Sequence, residues 1–219
     1  MTDARTLRIC TLALALTLSA IGLFIYRPRS DFSMFYASGT LWRAGQTVYT
    51  AEQPNLNPPF AIVTLFAPLS FLSYDAARIV WIALGCAAIA ASIRIVARTL
   101  HWHLRRAAIA LACTLLTYPA WLVWFQGQMI WLLMYPATLA WQAMREKRHI
   151  QAGFWLAPVI ALKPPLALTA LALPWRVWLS AGIGSAALTA VSVMLTGMDV
   201  WREWWHFRDG DISFVRVRN

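Results

Sequence analysis

The chain has 219 residues, of which 60% are hydrophobic and only 13% are charged, and its mean hydropathy is +0.56. Soluble domains usually carry about 25% charged residues, so an ordinary soluble globule, a disordered chain and a disulfide-held secreted module are all excluded. The remaining class is an integral membrane protein of several helices. The net charge of +10 then indicates orientation in a lipid bilayer, not nucleic-acid binding, because membrane proteins place Lys and Arg on the cytoplasmic side.

Apolar stretches along the chain predict the helices. The first, from about residue 7 to 26, follows Arg5 and Arg8 without a clear cleavage site, so we interpret it as an uncleaved signal anchor. The others cover 59–73, 76–97, 106–124, 127–143, 151–174 and 177–196. A helix needs about 20 apolar residues to cross a bilayer. The second stretch is too short, and Lys163-Pro164-Pro165 interrupts the sixth.

The loop at 27–58 contains a predicted surface helix. Ser30 and Asp31 stand where a helix N-cap is expected, and Gly45 ends the pattern. Between them, one apolar helical face is formed by Phe32, Phe35, Tyr36, Gly39 and Trp42. We therefore expect an all-α, polytopic membrane helical bundle, with an amphipathic helix of its first outer loop lying along the membrane surface.

Clusters of positive charge orient this bundle. They lie at 5–8, 98–106, 145–148 and 176. If all are cytoplasmic, the loop at 27–58 and the turn at 126–128 lie outside. This topology requires the stretch 59–73 to enter and leave the same face of the membrane. It also requires the chain to turn back at Lys163. Seven full crossings would instead place the 145–149 cluster outside.

Asp31 is the first candidate for chemistry. The chain has nine acidic residues, and only Asp31 and Glu52 fall in the first outer loop. Asp31 follows the predicted end of the first helix by five residues, close to the membrane–water boundary. A lipid-linked substrate would present its head group there. Alternatively, Asp31 only caps the surface helix.

Lys163 is the second candidate. An ionisable residue inside an apolar stretch costs about 2.5–3.5 kcal/mol on insertion scales and suggests function. A lysine at this break can bind a phosphate as a point charge. Alternatively, its side chain snorkels to the boundary.

Gln128 lies in an uncharged turn, Gln126-Gly127-Gln128, between two apolar stretches. Its amide can bind a sugar hydroxyl or satisfy the backbone of the turn. His101 and His103 lack a third ligand at suitable spacing, so we expect no metal site. No nucleotide-binding, metalloprotease or nucleophile-elbow motif is present.

An ordered set of motifs resembles a known family. Asp31-Phe32, Phe35-Tyr36-Ala37-Ser38-Gly39, Asn57-Pro58-Pro59-Phe60, Ala67-Pro68-Leu69, Gly127-Gln128, Ala152-Gly153 and Leu162-Lys163-Pro164-Pro165 occur in this order. The set, over about residues 5–196, resembles glycosyltransferase family 87, also filed as DUF2029, which includes polyprenol-phosphate-mannose-dependent mannosyltransferases.

The resemblance implies a GT-C-like membrane enzyme with its active site at the outer face of the cell membrane. It also implies a polyprenyl-phosphate sugar as donor, with mannose as the expected sugar, an unknown acceptor and no cofactor. The acid of the first outer loop, here Asp31, would be the general base. We further expect Lys163 to bind the departing phosphate, and Tyr36, Asn57 and Gln128 to line the substrate site.

The resemblance also sets expectations about domains and completeness. Residues 1–196 form the predicted transmembrane module, and 197–219 form a polar, aromatic tail. Met129-Ile130 stands where the family often has Asn, and members usually run to about twice this length. The alternative is therefore a non-catalytic or incomplete module: a fragment, a pseudoenzyme, or half of an enzyme that a second chain completes.

Overall fold

The computed structural model describes residues 30–49, 57–116 and 126–208. Within these ranges every regular element is helical. In chain order the elements are α1 (Asp31–Arg43), α2 (Pro59–Leu69), α3 (Tyr74–Thr99), α4 (Leu104–Leu116), α5 (Ile130–Arg145), α6 (His149–Leu162), a 3₁₀ turn (Pro164–Leu166), α7 (Ala167–Ala170), α8 (Trp175–Thr196) and α9 (Met198–Arg208). The all-helical prediction is confirmed. The predicted signal anchor and Glu52 lie outside the described residues.

Two of these helices have the length and composition of membrane spans. They are α3, with 26 residues, and α8, with 22 residues. Both expose large apolar side chains, including Ile79 and Leu84 on α3 and Ile183 and Met194 on α8. Exposed apolar side chains of this kind suit a lipid environment. The multi-pass bundle and its GT-C-like architecture remain predictions.

Helices α6 and α8 run in the same direction. Gly153 of α6 packs against Val177 and Ser180 near the start of α8, with no room for a Cβ atom. One turn further along α6, the carbonyl of Ala157 accepts a hydrogen bond from Ser185 Oγ at 3.0 Å. Two parallel helices require the intervening chain to return to its starting level, as predicted. The return begins at Lys163, where α6 ends and two prolines follow.

Helices α3 and α5 are also parallel. Trp81 lies level with Gly127, to which it is hydrogen-bonded, and Ile89 lies further along α3 in a cluster with Trp131 and Met134. The chain turns tightly after Arg145, so α6 runs antiparallel to α5. One end of the bundle, which we term the basic end, therefore gathers the residues at 98–106, 145–149 and 175–176. The opposite end, with Asp31, the Gly127 turn and Lys163, is termed the site end.

Helix α2 stays at the site end, packed against α1. Its middle, Ile62–Phe66, is a π-helix, and the carbonyl of Phe66 lies against Gly39 of α1 so closely that a Cβ there would collide with it. Phe35 of α1 stacks on Phe66 with ring centroids 4.4 Å apart. The apolar face of α1 predicted from its spacing is therefore buried against protein. Gly45, with φ of +69°, follows the end of α1, as predicted.

Helix α9 folds back onto the same end. Trp204 is buried in the main apolar core, and Val200, Trp201 and Phe207 pack against that core. The ring of Phe207 lies 6.1 Å from that of Tyr49, in the segment after α1. Residues 198–208, assigned to a polar tail by sequence, thus form a helix that covers part of the site end.

Candidate functional site

Asp31 is the first residue of α1, and its side chain is not used to cap that helix. Ser30 occupies the N-cap position but makes no side-chain capping bond. The first turn is instead closed through the Ser30 carbonyl, which accepts hydrogen bonds from the Ser33 backbone N–H at 2.9 Å and from Ser33 Oγ at 2.6 Å. This leaves the half-buried carboxylate of Asp31 available for contacts outside its own helix.

Gln128 makes that contact. Its Nε2 donates a hydrogen bond to Oδ2 of Asp31, across a sequence separation of 97 residues. Gln128 lies in the turn that precedes α5, next to Gly127, whose φ of +66° lies in the left-handed region that favours glycine. The turn residue therefore engages the candidate base and not only its own backbone.

Lys163 completes the cluster. It is the C-cap of α6, and its φ of −137° and ψ of 75° are not helical, so the helix breaks at this residue. Its positive charge lowers the pKa of Asp31, which places the two groups within electrostatic reach. In the part of the chain that the structure describes, they form no direct ion pair.

Burial and charge act in opposite directions on Asp31. Removal from water raises the pKa of its carboxyl group, while the Lys163 charge and the Gln128 hydrogen bond lower it. Burial dominates, so the pKa is raised from its ordinary value. A raised pKa makes a carboxylate a stronger base, closer to the pH at which an enzyme works.

Tyr36 and Asn57, both predicted to line the site, have structural contacts. The Tyr36 hydroxyl donates to the Leu72 carbonyl at 2.8 Å, and its ring packs edge-on against Tyr74. The backbone carbonyl of Asn57 accepts a hydrogen bond from the Tyr49 hydroxyl at 2.9 Å. Both residues belong to the site end, and their substrate contacts stay predictions.

Two residues at this end were missed by the sequence analysis. Trp81 joins the Gly127 turn to α1, and Glu203 of α9 is only 4% exposed. Glu203 lies close enough to Tyr49 to raise the pKa of its hydroxyl, an effect added to that of burial. The spacing of the apolar residues Val200, Trp204 and Phe207 predicts a buried helical face, and Glu203 falls on that face.

Within the described ranges, no three metal-ligating side chains come together. The groups that the structure brings together at the site end are Asp31, Gln128 and Lys163. Together they offer a proton acceptor, an amide that orients it, and a cation held nearby.

Comparison with known proteins identifies the family. The model of glycosyltransferase family 87 matches residues 55–213. The chain belongs to glycosyltransferase family 87. The family indicates a membrane glycosyltransferase, which agrees with the two long apolar helices. The matched range includes Gln128, Lys163 and α9, whereas Asp31 precedes it. Neither the curated proteins nor the solved structures compared with the chain gave a match.

Proposed function

We propose that this chain transfers a hexose, with mannose as the first candidate, from a polyprenyl-phosphate sugar to a hydroxyl acceptor of unidentified structure. One observation supports this reaction above all. A half-buried carboxylate with a raised pKa is oriented by an amide and lies within electrostatic reach of a lysine. Glycosyl transfer from a phosphate donor needs both a base and a cation.

In the proposed step, Asp31 accepts the proton of the acceptor hydroxyl. The acceptor oxygen attacks the anomeric carbon in line, forming the new glycosidic bond with inversion. The bond between that carbon and the phosphate oxygen breaks, and the electron pair leaves with polyprenyl phosphate. The proton thus ends on Asp31 and the negative charge on the phosphate, so the step requires no cofactor.

Lys163 stabilises the phosphate in this scheme. The leaving group is already charged, so it needs a cation more than it needs an acid. A lysine at a helix break, preceding two prolines, projects from irregular backbone, which membrane proteins tolerate where it lines protein or a water-filled cavity. Gln128 holds Asp31, and in this scheme Gln128, Tyr36 and Asn57 line the site where the sugar hydroxyls bind.

The same scheme orients the protein in a cell membrane. The basic end faces the cytoplasm, as membrane proteins generally place such residues, and the site end opens outside it. There a lipid-linked sugar presents its head group beside Asp31. The polyprenyl chain remains in the bilayer, alongside the exposed apolar side chains of the long helices.

The experiment uses membranes that contain the full chain and a radiolabelled polyprenyl-phosphate hexose. Asp31→Asn should lower transfer by about 100-fold or more, the usual contribution of a general base. Asp75→Asn is the matched control, because the Asp75 side chain is 78% exposed and pairs with Arg78 on its own helix. Equal transfer by the wild-type protein and Asp31→Asn would overturn the assignment of the base.

No transfer by the wild-type protein would instead favour the second candidate, a non-catalytic or incomplete module. That candidate draws support from the sequence, where Met129-Ile130 stands at the position at which the family often has Asn. In a complete assembly, a second chain would supply the rest of the substrate groove. Transfer that appears only when a second chain is supplied would establish it.

A further inference from the structure

Trp81 contacts the chain neighbours of both Asp31 and Gln128. Its side chain is almost completely buried, and its indole Nε1 donates a hydrogen bond to the Gly127 carbonyl at 2.9 Å. Its ring centroid lies 5.7 Å from that of Phe32. One side chain thus touches the residue directly before Gln128 and the residue directly after Asp31, although neither is near it in sequence.

The bond to Gly127 controls the turn that carries Gln128. Glycine populates positive and negative φ about equally, so the sequence alone does not fix the conformation of this turn. A buried carbonyl needs a hydrogen-bond donor, and Trp81 supplies it in the observed turn, where Gly127 has a φ of +66°. The direction in which the Gln128 amide points therefore depends on the indole N–H group.

The ring of Trp81 fixes the other half of the pair. It packs against Phe35 at 6.1 Å and Phe66 at 6.1 Å, in addition to Phe32. Aromatic contacts of this kind have preferred geometries, so the cluster restricts how the first turn of α1 can move. Asp31 belongs to that turn.

We propose that Trp81 is a positioning residue of the site, holding the Gly127–Gln128 turn and the first turn of α1 at the separation where the Gln128 amide reaches the Asp31 carboxylate. It acts through Gln128 and does not touch substrate. Its effect on transfer rests on the proposed function, whereas its effect on Asp31 can be measured without any transfer.

A double-mutant cycle tests whether Trp81 acts through Gln128. Trp81→Phe and Gln128→Leu should each lower kcat for hexose transfer by about 10-fold, within the range that small misplacements of reacting groups produce. The KM for the donor should change little. Both changes break the same chain of contacts. The kcat of the double variant should therefore equal, within about 2-fold, that of the single variant with the lower kcat.

A second measurement follows the protonation of Asp31 itself. Carbodiimides label protonated carboxyl groups, so labelling of Asp31, read by mass spectrometry against pH, gives its titration midpoint. The Gln128 hydrogen bond lowers the pKa of Asp31, so its loss should move the midpoint to higher pH. Trp81→Phe should move it in the same direction, and the double variant no further than Gln128→Leu alone.

The surrounding charges stay constant in these variants. They are the Lys163 charge and, on α1 and the helices packed against it, the groups of Tyr36, Arg43, Tyr74, Asp75 and Arg78.

Phe35→Leu is the matched control, because it removes a ring from the same cluster but leaves the indole bond. It should move the midpoint less than Trp81→Phe does. If Trp81→Phe does not fold, Trp81→Tyr replaces it.

The proposal is overturned if Trp81→Phe leaves the midpoint unchanged, moves it no more than Phe35→Leu does, or adds its full effect to that of Gln128→Leu. A wild-type protein without transfer, but with the expected midpoints, would contradict the proposed function and support the positioning role.

Discussion

The two ends of the bundle use their charges in different ways. At the basic end the positive side chains are exposed: Arg98, Arg105, Arg106, Arg145, Lys147, Arg148 and Arg176. At the site end, Asp31 and Lys163 are half-buried, and the carboxylate is bound by an amide from a distant part of the chain. In the proposed scheme, the exposed charges set the orientation in the membrane, whereas the half-buried Asp31 and Lys163 carry the chemistry.

Aromatic contacts show the same difference. At the basic end, the Arg145 guanidinium lies 5.5 Å from the ring centroid of Trp141, and that of Arg176 lies 5.5 Å from Trp175. Such local Arg–Trp pairs suit a membrane interface, where Trp is enriched. At the site end, Trp81 is buried and connects separate helices. Removing a tryptophan should therefore affect the two ends differently.

Labelling of single cysteines gives an all-or-none test of this comparison. In a chain without Cys10, Cys86 and Cys113, Ala44→Cys marks the site end and Lys147→Cys marks the basic end. A membrane-impermeant maleimide applied to intact cells should label position 44 only. Both positions are exposed, so both should be labelled after permeabilisation. Labelling of position 147 in intact cells would reverse the proposed orientation.

The two lysines of the chain, one at each end, allow a matched comparison. Lys163→Met should lower kcat/KM for hexose transfer by about 100-fold, within the range found when one stabilising donor is removed from an active site, and should weaken donor binding. Lys147→Met removes the same charge from the basic end and should leave both nearly unchanged. Equal effects of the two substitutions on the initial rate would contradict the assignment of Lys163 to the site.

We expect a smaller effect, on stability, from a substitution at the close contact between α6 and α8. Gly153→Ala places a methyl group against the Val177 carbonyl and Ser180, and should cost about 1–3 kcal/mol, as overpacking usually does. Gly182→Ala is the control, since nothing lies near its added Cβ. Thermal unfolding in detergent should show a lower Tm for Gly153→Ala alone. An unchanged Tm would contradict the close contact of α6 with α8 at Gly153.

Local chemistry accounts for the features that were predicted from sequence. The apolar spacing of α1, the stop at Gly45 and the break at Lys163-Pro164-Pro165 are each encoded within a few residues, and the structure contains all three. The acids were few enough for elimination to select Asp31. Those patterns depend only on neighbouring residues, so one sequence suffices to recognise them.

The contacts that build the site are not encoded locally. Gln128 and Asp31 are 97 residues apart, and Trp81 and Gly127 are 46 residues apart, so no spacing rule connects them. The burial of Glu203 was missed because the charges of its segment balance, which concealed the apolar face of α9. The π-helix in α2 also depends on tertiary packing, against Gly39.

The pH dependence of the transfer rate tests the central claim most directly. Asp31 must be ionised to accept a proton, so activity should fall as the pH falls through its pKa, which burial raises from the ordinary value of an aspartate. Loss of the Gln128 hydrogen bond raises that pKa further, so the acid limb of Gln128→Leu should lie at higher pH than that of the wild-type protein. Coincident acid limbs in the two proteins would contradict the assignment of Asp31 as the base.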